Sequence, residues 1–292
     1  MTNTPRSVLV TGADGRIGRA TVARLRADGW RVVALAPRFQ TLTSDDAELH
    51  VGDATNEEDV AAALEGVDAV VHLAAVPHWD HGTPREVYTT NVVSTFTVLV
   101  QAARRGIRRA VIASSIQASG VPGNHHDVLP AYYPIDESLP PVHDEWYSLS
   151  KYSDELTARM VASHWGMSIV ALRFPWTDEA AALRAVAEEW TRDPVQGVKL
   201  GWSYLDVRDA AVAVARGLEA EVDGALVVQL AAPDTLVPFE TEDLLDRFAP
   251  DVPRERVFPG RTVPVSTDRA EHLLGFVAEH RVEPVPLAET AG

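Results

Sequence analysis

Ser7-Val8-Leu9-Val10-Thr11 runs directly into Gly12-Ala13-Asp14-Gly15-Arg16-Ile17-Gly18, and from Ile17 to Ala27 apolar residues recur at helical spacing. An apolar, β-branched run, a glycine turn and an amphipathic helix open a βαβ unit. Glycines lack Cβ, so the backbone can turn tightly and approach a pyrophosphate, while the helix N-terminus offers free N–H groups. The spacing is Gly-x-x-Gly-x-x-Gly rather than the commoner Gly-x-Gly-x-x-Gly. A tight strand-to-helix turn with no ligand uses the same residue types. The order of strand, turn, helix and second strand is what favours dinucleotide binding here.

Outward from that turn, the pattern repeats. Gly29 ends the helix, and Arg31 to Leu35 is a second strand. Leu49 to Val51 is a weaker third strand, and Asn56 is placed to cap a helix through Leu64. Asp68 to Leu73 is a fourth strand, followed by a helix from about Arg85 to Arg105 and a strand from Ala110 to Ser114. A Gly-, Pro- and His-rich loop reaches about Glu145, then come a helix to about His164 and a strand from Ser168 to Arg173. These strands are solidly apolar rather than alternating, which predicts a parallel sheet covered on both faces. Later, Ala180 to Glu189 and Val207 to Leu218 read as helices and Ala225 to Leu230 as a strand, with short helical pieces near Leu244 and His272. The expected fold is α/β, a doubly wound parallel Rossmann sheet with a small C-terminal substrate-binding portion. Residues 1–175, completed by about 204–231, form the dinucleotide-binding domain; 176–203 and 232–292 form the smaller portion.

Composition narrows the function. The chain has 292 residues and no cysteine, which excludes disulfides, thiolate metal sites and a cysteine nucleophile. A formal net charge of -16 argues against a general nucleic-acid binder. There is no run of eighteen apolar residues, so no membrane span is expected. No apolar signal segment precedes the first strand, so a cytoplasmic location is expected. Of the 26 Lys+Arg, only Lys151 and Lys199 are lysines.

Three positions carry candidate chemistry. In an NAD site an acid at the end of the second strand takes the ribose hydroxyls. Here that strand ends Ala34-Leu35-Ala36-Pro37-Arg38, with Ala36 at the acidic position. Arg38, with Arg16, is placed to hold a 2′-phosphate instead, so NADP is preferred over NAD; both arginines as plain surface groups is the alternative. Tyr147-Ser-Leu-Ser-Lys151 puts a phenol and an ammonium on one helix face. The ammonium favours tyrosinate and so lowers the phenol's pKa towards use as an acid–base. Two lysines among so few tyrosines make a chance pair rare, with about 0.04 occurrences expected. Ser114 and Ser115 end the fifth strand, where ligands sit in open α/β sheets.

Glycine turn, strand-end serine and Tyr-x-x-x-Lys, in this order, resemble the short-chain dehydrogenase/reductase superfamily, in its extended, epimerase/dehydratase-like branch. Further segments are similar across nearly the whole chain. Val51-Gly-Asp53, with Ala54 next, resembles the branch's adenine-contacting Gly-Asp. Val71-His-Leu73-Ala74-Ala75 resembles its cofactor-lining segment. Asn91 sits where the branch has a structural asparagine, and Leu172-Arg-Phe174-Pro175 resembles the exit beside the nicotinamide. Tyr204-Leu-Asp-Val-Arg-Asp209 resembles the segment that returns to the sheet. The resemblance implies that Gly12, Gly15, Arg16, Ile17, Gly18, Arg38, Asp53, Ala54, Leu73, Ala74, Ala75, Asn91, Tyr147, Lys151, Phe174 and Pro175 contact the cofactor. It implies catalysis by Ser115, which orients the substrate oxygen; Tyr147, which moves its proton; and Lys151, which holds the nicotinamide ribose and lowers the tyrosine pKa. It also implies a homodimer paired through the helices around Asn91–Arg104 and Tyr147–His164.

The departures restrict the reaction. Dehydratases of the branch carry Thr-Asp-Glu where this chain has Ser115-Ile116-Gln117, which argues against water elimination. Trp176 to Ser203 is short and acidic, with Arg184 and Arg192 as its only arginines, so a small substrate fits better than a nucleotide diphosphate sugar. The arrangement is similar to compact uronate-dehydrogenase-like members, without their NAD-type acid. Substrate contact is assigned to His78, Trp79, Ser115, Gln117, Trp146 and Trp176. His78-Trp-Asp-His81 is expected to bind no metal, and His125-His126 reads as an exposed loop pair. The leading expectation is an NAD(P)-dependent oxidoreductase acting on a small sugar-like or polyhydroxylated alcohol or ketone. A nucleotide-sugar 4-epimerase with bound NAD is the alternative, and a cofactor-sensing regulatory protein a third.

Overall fold

The computed structural model describes residues 6–285; the amino-terminal residues on which the cytoplasmic expectation rests lie mostly outside them. Strands β1 (Ser7–Thr11), β2 (Arg31–Ala36), β3 (Glu48–Val51), β4 (Ala69–His72), β5 (Arg109–Ser115) and β6 (Ser168–Phe174) alternate with helices. The helices are α1 (Arg16–Ala27), α2 (Glu57–Ala63), α3 (Pro84–Arg104) and α4 (Trp146–Trp165). Next come β7 (Trp176–Asp178), α5 (Ala180–Arg192), β8 (Tyr204–Asp206), α6 (Val207–Glu219) and β9 (Ala225–Gln229). Two short helices, α7 (Thr241–Phe248) and α8 (Asp268–Leu274), follow. The main sheet has the order β3-β2-β1-β4-β5-β6-β9 with every pairing parallel. This is the expected doubly wound Rossmann architecture. The strand order reverses between β1 and β4, so a crevice opens beyond their carboxyl ends, and the glycine turn lies there.

The solid apolar runs have the expected consequence: all of β1 and β4 is buried. Two cores sandwich the sheet. Val8, Val10, Val22, Leu25, Val214 and Leu218 pack between β1 and the helices α1 and α6 on one face. Leu9, Val33, Val98, Leu99 and Val161 pack against α3 and α4 on the other. A third cluster gathers Ile116, Tyr133, Trp190, Trp202, Tyr204, Leu236 and Phe258. It draws together the loop after β5, the region after α5 and the C-terminal segment.

Local signals set the ends of the helices. Thr83 and Glu86 form a capping box at the start of α3, and Asn56 caps α2 through the backbone N–H groups of Glu58 and Asp59. Glu145 caps α4, its carboxylate accepting from the N–H groups of Tyr147 and Ser148, both at 2.5 Å. One element departs from expectation: Trp176–Asp178 and Tyr204–Asp206 pair as a separate two-stranded parallel sheet. Strands of three residues carry too little periodicity to be seen in sequence.

Candidate active site

The glycine turn has the shape its residues predict. Gly12 takes φ +64°, and a Cβ there falls 2.7 Å from Ala74 N. A Cβ on Gly18 falls 2.2 Å from Gly12 O. Both positions therefore require glycine for close backbone approach, not only for conformation. Gly15 heads α1 without any side-chain cap, so the first-turn N–H groups face the hollow unblocked. Asp14 accepts from the N–H groups of Gln40, Thr41 and Leu42 at 2.7, 3.2 and 2.8 Å, which ties the loop after β2 against the turn. Ile17 packs on the first core. The hollow suits a pyrophosphate backed by a helix N-terminus.

The ribose-side arginines differ. Arg38 is exposed and has no ion pair among the described residues. Arg16 pairs with Asp178 of β7, while its side chain stays half-exposed. The acid comes from the unforeseen small sheet. Asp53 is exposed and its Oδ1 accepts from Thr55 N at 2.8 Å, while Ala54 is buried. Leu73, Ala74 and Ala75 follow β4 beside the turn, with Leu73 N donating to Thr11 O at 3.2 Å and Ala74 N to Thr11 Oγ1 at 3.3 Å. Asn91, fully buried, has a structural task. Its Oδ1 accepts from Val76 N at 2.7 Å and its Nδ2 donates to Val76 O and Ser150 Oγ at 3.1 and 3.0 Å. That occupies both amide hydrogens, leaving no donor for a cofactor. Phe174 and Pro175 are buried where β6 ends alongside Ser115.

The sheet and α4 bring Ser115, Tyr147 and Lys151 together. Ser115 ends β5, and its Oγ accepts from Gln117 N at 3.1 Å, capping a 3-10 turn over Ile116–Ser119. Tyr147 and Lys151 lie one turn apart at the start of α4, and both are buried. Lys151 Nζ donates to Ala113 O at 3.0 Å and to Asp154 Oδ2 at 3.1 Å. Desolvation pulls the lysine's proton affinity down, yet Asp154 and, less, Tyr147 outweigh it and hold Lys151 above the ordinary lysine value. For Tyr147 the sign differs from the sequence expectation. Burial raises its pKa, Lys151 and a hydrogen bond with Ser115 lower it, and Asp154 and Glu145 raise it again, with a net upward shift. The sequence shows the ammonium but hides the burial and the two carboxylates. Beneath the pair, His72 Nδ1 is 2.8 Å from Thr11 Oγ1 and its Nε2 is 3.1 Å from Thr95 Oγ1. Burial pushes His72 down to about 3, so it is neutral.

The loops add an aromatic wall. Trp146 Nε1 donates to Trp79 O at 2.8 Å, and the two indoles meet edge to face at 6.2 Å. His125 packs edge-on to Trp79 at 5.3 Å. Asp144 accepts from His125 N at 2.9 Å, and Lys199 Nζ donates to the carbonyls of Asn124 and His126 at 2.9 and 2.6 Å. His125 and His126 are both exposed, as expected of the loop pair, although the His125 ring also packs on Trp79. Trp176 is exposed, and its ring meets Trp190 of the third cluster edge to face at 6.3 Å. Gln117 presents a buried Oε1 with no hydrogen-bond partner among the described residues. His78, Asp80 and His81 bring ligating atoms within 4.8 Å of one another, but His78 and Asp80 already bond each other in an exposed turn. Sequence reasoning missed Glu145, Asp154, His72 and Thr95, whose roles come from burial.

Known proteins are similar to this chain. The pattern of the NAD dependent epimerase/dehydratase family matches residues 8–176. An L-arabinose 1-dehydrogenase (NAD(P)(+)) of Haloferax volcanii is 29% identical over 76% of this chain and 87% of its own length. A uronate dehydrogenase of Pseudomonas putida is 28% identical over 59% of this chain and 62% of its own length. A short-chain dehydrogenase/reductase superfamily protein of Agrobacterium tumefaciens, solved with bound NAD, is 26% identical, covers 94% of this chain and 93% of its own, and superposes with a TM-score of 0.70. No helix among the described residues is long and apolar enough to cross a membrane.

Proposed function

The chain belongs to the NAD dependent epimerase/dehydratase family, and on that premise we propose that it is an NAD(P)-dependent oxidoreductase acting on a small sugar-like or polyhydroxylated alcohol or ketone. The observation that carries this reading is the buried Ser115, Tyr147 and Lys151 group at the carboxyl end of β5, with Ile116-Gln117 where an acid pair for water elimination would stand. The sugar dehydrogenases among the relatives support the substrate class.

The cofactor would lie over Gly12, Gly15 and Gly18, between the loop after β2 and Leu73–Ala75, and when bound it supplies the hydride acceptor or donor at nicotinamide C4. In oxidation Tyr147, as phenolate, would take the substrate hydroxyl proton. In reduction the phenol returns that proton to the carbonyl oxygen. Ser115 orients this oxygen, and Gln117 Oε1 is free to accept a hydrogen bond from a neighbouring hydroxyl. Trp79 and Trp146 would line one side of the substrate space. We take the third apolar cluster as the core of the substrate-binding portion.

Arg38, free of any ion pair among the described residues, supports use of NADP. The exposed Val93, Phe96, Leu149, Leu156 and Met160 on α3 and α4 support a homodimer through these helices. A cytoplasmic location completes the reading, and cell fractionation tests it. The central experiment is a fluorescence titration with NADPH and NADH, followed by a screen of aldoses, uronates and their carbonyl counterparts at 340 nm. Net reduction or oxidation of the cofactor with one of them is expected. The 4-epimerase relatives, such as that of Neisseria meningitidis at 29% identity over 42% of its length, keep epimerisation as the second reading. Interconversion of a nucleotide sugar without net cofactor turnover would decide for it.

A further inference from the structure

We propose that Asp154 is the counter-ion of the buried Lys151, keeping the ammonium charged and anchored beneath Tyr147, and is thus a positioning residue for the acid–base step. The inference rests on the reading of Tyr147 and Lys151 as the catalytic pair, and it concerns a carboxylate to which the reaction itself gives no role.

The geometry is specific. Asp154 lies three residues after Lys151 on α4, with side-chain exposures of 1% and 4%. Lys151 Nζ has two hydrogen-bond acceptors, Ala113 O at 3.0 Å and Asp154 Oδ2 at 3.1 Å. The first is a neutral carbonyl and fixes only direction. The second carries the charge that makes burial of an ammonium tolerable. A buried lysine without a counter-ion loses its proton readily. The other carboxylate nearby is committed elsewhere: Glu155 binds Arg173 through Nε and Nη2 at 2.8 and 2.9 Å and accepts from Ser114 Oγ at 2.6 Å. From β4, His72 faces the pair as a neutral ring. From α3, Thr95 Oγ1 bonds His72 Nε2 at 3.1 Å and lies close enough to favour the carboxylate. Among the described residues Asp154 Oδ1 has no hydrogen-bond partner, so the carboxylate's main partner is the lysine. Glu145 bounds the site at the head of α4, its carboxylate committed to the helix cap.

This carboxylate has two effects on Tyr147. It keeps a full positive charge next to the phenol, which favours the phenolate. It also returns a negative charge to the same pocket, which opposes the phenolate and leaves Tyr147 resting as a proton donor.

The two-lysine composition makes the test direct. Protein labelled with 13C at lysine Cε gives two resonances, and Lys199→Arg assigns the one from Lys151. Its chemical shift is followed against pH in the wild type, Asp154→Asn and Asp154→Glu. The expected wild-type midpoint lies above the free-lysine value of about 10.4. In Asp154→Asn it falls by about one unit or more, as expected for loss of a close opposite charge. In Asp154→Glu, which keeps the charge, it stays nearer the wild type than in the asparagine variant. A wild-type midpoint at or below the free value overturns the proposal, and this holds even if the asparagine variant does not fold. An unchanged midpoint in folded Asp154→Asn overturns it as well. The readout needs no substrate, so failure of the oxidoreductase reading in the substrate screen remains a separate result.

Discussion

Tyr147 shows how far one residue's chemistry depends on its surroundings. Its phenol is buried, with Ser115, Lys151, Asp154 and Glu145 around it. Replacing it by phenylalanine removes the proton path and keeps the shape. A fall of about 100-fold or more in kcat/KM is expected, while NADPH affinity by fluorescence stays within a few fold. Full activity in Tyr147→Phe would remove it from the mechanism. Arg38 is the second decisive residue. If it holds a 2′-phosphate, Arg38→Ala weakens NADPH binding by about 10-fold or more and leaves NADH binding unchanged. Equal effects on both cofactors would make it a surface group. Both residues stand out in the sequence by position: Tyr147 by its spacing to a rare lysine, Arg38 by following the strand-end alanine. Their environments do not, since the carboxylates that reset Tyr147 come from helix packing and a helix cap.

At the scale of elements, α4 couples stability to chemistry. Its N-cap is Glu145, and the first residues it fixes are Trp146, Tyr147 and Ser148. Glu145→Ala is expected to cost about 1 kcal/mol of stability. It also lowers kcat, because the phenol's helix turn frays. Normal kcat in a measurably destabilised variant would separate the two roles. The outer faces of α3 and α4 expose Phe96 at 49% and Leu156 at 46%, which is unusual for helices so well packed on their inner sides. Phe96→Glu with Leu156→Glu is expected to leave a folded monomer in sedimentation at micromolar concentration. A wild type already monomeric there would discount the dimer. The helix boundaries were legible because caps and apolar spacing are local. The β7–β8 pair was not, and with it came the contacts of Arg16 with Asp178 and of Trp176 with Trp190.

For the whole molecule, the buried polar row between the glycine turn and α4 sets an acid limit. His72 is held neutral with its pKa pushed down to about 3, against an ordinary value of 6.5. The unfolded chain therefore binds more protons between these values, and stability rises with pH across that window. The contribution is complete above about pH 6.5 and is lost as pH falls towards 3, of the order of a few kcal/mol at full extent. His72→Gln is expected to flatten the decline of Tm between pH 6.5 and 4, and an unchanged slope would assign that decline to carboxylates alone. The sequence by itself determined the layered α/β architecture and the place of the glycine turn, and it singled out Ser115, Tyr147 and Lys151 as candidates. Periodicity, capping and motif spacing are local properties that survive without coordinates. Only the tertiary structure decided which charges meet. Asp154 lies three residues from Lys151 in sequence, yet its consequence comes from the burial that α3, β4 and β5 impose on both. Burial is a property of the packed whole, and it sets how strongly each charge is felt.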